Sequence, residues 1–253
     1  MSADKNSNKE LWDDSHRTWP LPNLPWTMKQ NWHNLLFAHY PVKLDDLRRL
    51  VPEVLPLDSF NGMGWVGVVP FEMKGVRLRG LPRVKGTDQF PELNVRTYVS
   101  VDGKPGVYFF SLEASNKLAV WSAQTFYHLP YKRADMTLVK NDSTIEFESK
   151  RRNTNDFNFA CNYRPTSEPF YAKKGTFEEW MSERYCLYTT NKKGVPLRCD
   201  ILHQPWQLQN AEAEFKQNTM LYNQGILVAD ENPILYFSKK IEVRTWPLVR
   251  ALE

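Results

Sequence analysis

From Leu93 to Leu112 the residues alternate so regularly that the segment is committed to pairing with itself. Leu93, Val95, Thr97 and Val99 alternate with Asn94, Arg96, Tyr98 and Ser100, a period of two that sends the two sets to opposite faces of a strand. Val107–Leu112 supplies a second strand, and Asp102-Gly-Lys-Pro-Gly106 between them carries turn residues. The pattern predicts a hairpin. If its apolar set packs outward against helices, Asn94, Arg96 and Tyr98 share the other face, where a closed sheet holds a polar interior.

Strand patterns recur along the chain, at Trp32–His39, Gly64–Phe71, Met136–Val139, Thr144–Ser149, Phe157–Tyr163, Pro196–Leu208, Asn210–Phe215 and Ile234–Val243. Helices are fewer. Leu44, Leu47 and Leu50 mark a short amphipathic one limited by Pro52. A second runs from Ser115 or Asn116 through Trp121 and Phe126 with Leu118 and Ala123 on its apolar face, and stops before Pro130. A third opens on the capping box Thr176-x-x-Glu179, with Phe177, Trp180 and Met181 on its buried stripe. From Phe71 to Gly86 a glycine- and proline-rich loop is expected, whose Lys74, Arg77, Arg79, Arg83 and Lys85 face water or line a cavity mouth.

Many strands without strand–helix alternation give an α+β, β-rich class rather than a doubly wound fold. No repeat or low-complexity linker divides the middle, so residues 28–250 are expected to form one domain. Residues 1–27 read as an arm packed on it by Trp12, Trp19 and Trp26, and 251–253 as a vector-derived tail.

The uncharged run Leu118–Tyr131 is shorter than the ~20 residues of a membrane-spanning helix. The first residues lack the apolar core of a secretory signal, so the expected location is the cytoplasm. Cys161, Cys186 and Cys199 include no close pair, which argues against a disulfide framework or a cysteine-built zinc site. The net charge of +4 slightly favours anionic partners, but Lys150, Arg151 and Arg152 are too small a patch for nucleic-acid binding. Asn141-Asp-Ser143 reads as a polar turn. No phosphate loop, nucleophile elbow or paired-histidine metal helix is present, and neither a cofactor nor a metal is expected.

The candidate site is built from scattered residues. Glu92 and Arg96 fall on one face of the hairpin strand, about 13 Å apart along it, and so bracket a ligand without pairing. A buried Glu92 would hold its proton more tightly and suit acid/base chemistry. Lys132 beside Arg133 is a candidate nucleophile or proton donor, and Tyr131 a hydrogen-bond donor. An unbroken strand would turn His33 and His39 to one face, and His128 either caps a helix C-terminus or joins a pocket.

The runs Val69-Pro-Phe71, Phe90-Pro-Glu-Leu-Asn-Val-Arg-Thr-Tyr98, Gly106-Val-Tyr-Phe-Phe-Ser-Leu112, Leu129-Pro-Tyr131, Glu183-Arg-Tyr-Cys-Leu-Tyr188 and His203-Gln-Pro-Trp-Gln-Leu208 resemble the YqjF-like family of bacterial proteins over Trp32–Pro247. That family is similar in fold to acetoacetate decarboxylase, which implies a cone-shaped antiparallel barrel with a few peripheral helices around a small-molecule cavity. Val51-Pro-Glu-Val-Leu55 and Pro130-Tyr-Lys-Arg-Ala134 look like the decarboxylase's V-P-E-P-L and P-K-K-x-A, and Glu92 matches the pocket glutamate of its Y-x-E. The resemblance also departs from that pattern. Tyr131 stands where the decarboxylase has its Schiff-base lysine, Lys132 matches only the second lysine, and Trp32 lies near the place of an absent arginine.

The resemblance thus implies a cavity that binds a small organic, anionic or carbonyl-containing metabolite without Schiff-base decarboxylation. Glu92, Tyr131 and Lys132 are its candidate catalytic residues, and Arg96, Tyr98, Trp32, His33 and His128 its candidate ligand contacts. Two other readings stay open: a lyase or hydrolase-like enzyme using Glu92 as acid or base, and a structural or protein-interaction domain.

Overall fold

The computed structural model describes residues 13–252 except 85, 87, 118, 119, 122, 123, 125, 126 and 155. Strands β1 (Met28–Val42), β2 (Gly64–Leu78), β3 (Gln89–Val101) and β4 (Lys104–Ala114) form an antiparallel meander. They are followed by β5 (Tyr131–Asn141), β6 (Thr144–Arg151), β7 (Asn158–Pro165), β8 (Phe170–Tyr171), β9 (Cys186–Thr190), β10 (Pro196–Leu202), β11 (Gln207–Asn218) and β12 (Ile234–Arg250). The sheet order is β3-β2-β1-β12-β10-β9-β4-β5-β6-β7-β11-β8, and a further β3–β4 pairing closes β3, β2, β1, β12, β10, β9 and β4 into a ring. The expected hairpin is β3–β4, with Val99 opposite Gly106 and Val101 opposite Lys104. Pairing is antiparallel throughout the ring except where β4 meets β9; β4 also runs parallel to β5.

The pleat of the ring divides the apolar residues into an inner and an outer core. Inside lie Leu35, Phe37, Val69, Phe71 and Leu112, with Trp32 packed against them. Outside, Leu36, Val68, Leu93 and Val95 pack on Ile145, Phe147, Phe159 and Cys161. The apolar face of β3 is therefore covered by a second sheet layer of β6 and β7 and not by helices, as β5 turns away from the ring edge at β4.

Strand β1 changes face partway. Asn34 has φ of +55° and lies where the register with β2 shifts by one residue, between His33–Glu72 and Ala38–Val68. Its carbonyl accepts a hydrogen bond from Tyr163 Oη at 2.7 Å. One extra residue in a strand inverts every side chain beyond it. Met28, Gln30 and Trp32 face the interior before the bulge, and Leu35 after it.

Other boundaries moved for physical reasons. β2 continues to Leu78 through much of the expected loop, because Met73 and Lys74 pair with Phe90 and Gln89 of β3, and Lys74, Arg77 and Leu78 with β1. Arg79 and Arg83 remain in the loop, while Lys85 lies outside the described residues. The Pro196–Leu208 segment divides at His203–Trp206, since β10 joins β9 and β12 whereas β11 joins β7 and β8 and meets β12 only at Gln209 and Asn210. Residues 117, 120, 121, 124 and 127 are helical, but Trp121 is 58% exposed and faces out; Leu118, Ala123 and Phe126 lie outside the described residues. At the helix Phe177–Ser182, Glu179 Oε2 accepts from Gly175 N and Thr176 Oγ1 donates to Lys173 O, so the box is closed one residue early.

Residues 13–27 lie along the ring without regular structure. Arg17 is buried against Asp200 and the carbonyls of Tyr185 and Ile201, and Trp19 Nε1 donates to Asp200 Oδ1 at 2.8 Å. Trp26 lies beneath Arg79 and Arg244, and Trp12 is outside the described residues. At the other end Ala251 is buried, its N–H bonded to Pro196 O. Among the described residues no helix is long and apolar enough to cross a membrane.

β4 passes close to β9 at Gly106, where a Cβ would lie 2.6 Å from both the carbonyl oxygen and Sγ of Cys186 and 2.7 Å from Tyr188. Gly106→Ala is therefore expected to destabilise by about 1–3 kcal/mol, read as a lower urea midpoint at unchanged m-value.

Candidate functional site

The ring encloses a cavity of about 110 Å³, several times the ~30 Å³ that one water occupies in the liquid. Its walls are mainly apolar and aromatic, with Trp32, Phe71, Phe109 and Trp206 among them. Few polar side chains enter, as is usual for small-molecule pockets. β3 contributes three in succession on its inner face, Glu92, Asn94 and Arg96.

Glu92 is 2% exposed and accepts a hydrogen bond from Tyr131 Oη at 2.9 Å. Burial pushes its carboxyl up to about 8; the Tyr131 bond opposes this and the charge of Glu113 adds to it. At neutral pH Glu92 is therefore mostly a neutral acid, able both to donate and to accept. Burial and the neighbouring Glu92 likewise hold the Tyr131 phenol well above its ordinary value.

Arg96 is the outlier. It is 8% exposed, and among the described residues its guanidinium has neither a carboxylate partner nor a hydrogen bond. It lies 5.4 Å from the Phe37 ring and 5.9 Å from that of Tyr98. Among the described residues three further buried polar atoms of the lining are unpaired, Asn94 Oδ1, Arg184 Nη2 and Trp206 Nε1. Nearly all buried polar groups in folded proteins find partners, so an unpaired set among the residues of one wall marks that wall as unusual.

Tyr98 stands behind this wall. Its hydroxyl lies 2.5 Å from His39 Nε2, and the two rings stack. His39 is fully buried, and burial together with Arg96 and Arg184 drives its pKa well below the ordinary value, so it carries no charge.

The structure thus brings together Glu92, Arg96, Tyr131 and Trp32, with Tyr98 in contact behind them. It does not bring in Lys132, His33 or His128. Lys132 follows Tyr131 on β5, so its side chain points to the opposite face, where it is exposed. His33 precedes the Asn34 bulge and faces outward beside Lys74 and Lys240, which together with burial lower its pKa. His128 has φ of +51° after the helical segment and is exposed. The His33–His39 expectation fails at Asn34, which turns only His39 inward. Arg184, His203 and Trp206 also line the cavity and were not among the candidates; all three lie in irregular chain, although His203 and Trp206 fall within the expected Pro196–Leu208 strand. Among the described residues no three His, Cys, Asp or Glu side chains come together to hold a metal ion.

The β-rich ring around a small, mostly apolar cavity resembles the fold of acetoacetate decarboxylase. The fold matches acetoacetate decarboxylase from Legionella pneumophila with a TM-score of 0.60 at 14% identity, covering 94% of this chain and 93% of that one. It also matches the enduracididine biosynthesis enzyme MppR complexed with pyruvate, with a TM-score of 0.61 at 9% identity and 94% of each chain covered. At these identities the likeness concerns the fold alone. The sequence defines the narrower group: residues 29–242 match the DUF2071 model, described as an uncharacterized conserved protein, and the chain belongs to that family. It is 48% identical over 228 residues to the uncharacterized protein YqjF of Bacillus subtilis (strain 168), covering 90% of this chain and 94% of that protein.

Proposed function

We propose that this chain binds a small organic carboxylate bearing a carbonyl or hydroxyl group in a closed β-barrel cavity, without forming a lysine imine. Arg96 carries the reading. A buried guanidinium without a protein anion is costly, and a ligand carboxylate would supply the missing charge in the two-pronged geometry that arginine prefers. The neutral Glu92–Tyr131 pair suits the uncharged end of such a molecule, since it can donate to a carbonyl or exchange hydrogen bonds with a hydroxyl. The fold relatives include acetoacetate decarboxylases and a protein solved with pyruvate, which supports the same ligand class.

Among the described residues the lining contains no lysine, so none of them offers the nitrogen that a Schiff base needs. Borohydride reduction with pyruvate or acetoacetate is expected to leave every lysine unmodified by mass spectrometry, and Lys132→Ala to leave ligand affinity unchanged. A lysine adduct would refute the non-imine reading. The binding reading is tested by titrating two- to five-carbon carboxylates and their amides by calorimetry; saturable binding of a carboxylate but not of its amide is expected.

Proton transfer is the second reading, favoured by Glu92 being a neutral acid hydrogen-bonded to Tyr131 in the same cavity as a cation. Every carboxylate that binds should be tested for turnover. Loss of about 10²- to 10⁴-fold in rate on Glu92→Gln with retained affinity would mark a lyase or hydrolase-like enzyme.

A further inference from the structure

The basic stretch at the end of β2 and beyond takes almost no part in the cavity, to which it gives only Met73 among the described residues. Residues 73–87 carry Lys74, Arg77, Arg79, Arg83 and Lys85 and no acidic residue. Lys74 is taken by Glu72. Among the described residues no carboxylate is paired with Arg77, Arg79 or Arg83. Arg79 lies 5.5 Å from the Trp26 ring instead, and the Arg83 guanidinium rests against Gly75 of β2.

Between these cations the side chains are apolar and face out. Residues 78–84 are all exposed, Leu81 by 54% and Val84 by 62%. The helical segment that carries Trp121 is tied to the same loop near both of its ends. Asn116 Nδ2 donates to Gly86 O at 3.4 Å, and Tyr127 Oη lies 3.0 Å from Oγ1 of Thr27, whose carbonyl accepts from Arg79 N at 2.8 Å. Trp121, midway between these ties and itself exposed, therefore belongs to the same end of the ring as Leu78, Leu81 and Val84. Those four are a third of the twelve large apolar side chains exposed among the described residues. Such side chains scattered singly are ordinary, but gathered among cations they mark a contact surface.

The two halves of the surface choose its occupant together. A second copy of this chain would bring like charges face to face. A nucleic acid would meet the cations and leave the aliphatic side chains in water. An anionic bilayer meets both, because arginine reaches the headgroup phosphates while leucine, valine and tryptophan enter the interfacial layer beneath them.

We propose that this end of the ring docks on the surface of an anionic lipid bilayer, with Arg77, Arg79 and Arg83 against the headgroups and Leu81, Val84 and Trp121 in the interface. The docking is peripheral, and it does not depend on what the cavity holds.

The full chain is sedimented with sucrose-loaded vesicles, either of phosphatidylcholine alone or of phosphatidylcholine with about one third phosphatidylglycerol. Saturable binding to the mixed vesicles is expected, and far weaker binding to the neutral ones. Arg79→Gln with Arg83→Gln should weaken it about 25-fold, at about fivefold per cation. Leu81→Asn with Val84→Asn leaves every charge in place and should weaken it by about tenfold or more. Both pairs lie at exposed loop positions, and an unchanged melting temperature verifies that each variant is folded. The proposal is overturned if the mixed vesicles do not carry the chain down, if the neutral vesicles bind it as tightly, or if Leu81→Asn with Val84→Asn binds as the parent does. That last result, with binding lost in the arginine pair, would describe a surface for a soluble polyanion such as RNA.

Discussion

Arg96→Met is expected to abolish carboxylate binding while raising the melting temperature. The two effects share one cause. In the free protein the guanidinium is buried over Phe37 and Tyr98 with no anion to offset its lost hydration, so it is a liability until a ligand arrives. Methionine fills much of the same volume without the charge, and replacements of this kind gain about 1–4 kcal/mol, at ~2–4 °C per kcal/mol for a domain of this size. The same change removes the charge-assisted bonds to the ligand, and truncating one partner of a buried charged pair costs about 2–5 kcal/mol, a loss of roughly 30- to several-thousand-fold in affinity. Arg96→Lys keeps the charge but not the planar fork and should fall between the two. Calorimetry and a thermal melt on the same preparations decide the matter. A Met variant that melts lower and binds as before would mean that Arg96 is held by the fold for its packing.

How far this site was legible depends on how local the signals are. Period-two alternation with a turn between is a local signal, and it placed Glu92, Asn94 and Arg96 on one face of β3 before any coordinates. Which face meets the cavity is not local, because β3 is buried on both sides, with Leu93 and Val95 covered by β6 and β7. The choice between Tyr131 and Lys132 has the same character. Adjacent strand residues must point oppositely, but only the pairing of Leu112 with Tyr131 fixes which one is inside. His33 shows a harder failure, since Asn34 is an ordinary polar residue in the sequence and its left-handed backbone arises where Tyr163, from a distant strand, takes its carbonyl. Arg184 and His203 sit in irregular chain, held there by partners far away such as Asp58 and the carbonyl of Arg184 itself.

Glu92 is expected to make stability fall as pH rises toward 8 and ligand affinity fall as pH rises past it, and Glu92→Gln to remove both dependences. The carboxyl's folded pKa of about 8 lies above its ordinary value of 4.5, so the folded state binds the proton more tightly than the unfolded one. The stabilising contribution is therefore complete below about pH 4.5. It declines between there and about 8, at up to ~1.4 kcal/mol per pH unit, and is exhausted above. Binding has its own window. Below about 8 an incoming carboxylate meets a neutral acid. Above it, the ligand meets an anion in an enclosed, largely apolar cavity, and affinity should drop about tenfold per pH unit if binding requires the protonated form. Glutamine keeps the shape and the bond from Tyr131 but cannot ionise, so its affinity should stay level from pH 6 to 9.5 and its stability should lose this component of the slope. Denaturant titrations across pH 5–9 and calorimetry with the same carboxylate read the two curves separately. If the parent and Glu92→Gln give parallel curves in both, the carboxyl is already ionised at neutral pH, and the neutral-acid role assigned to Glu92 is wrong.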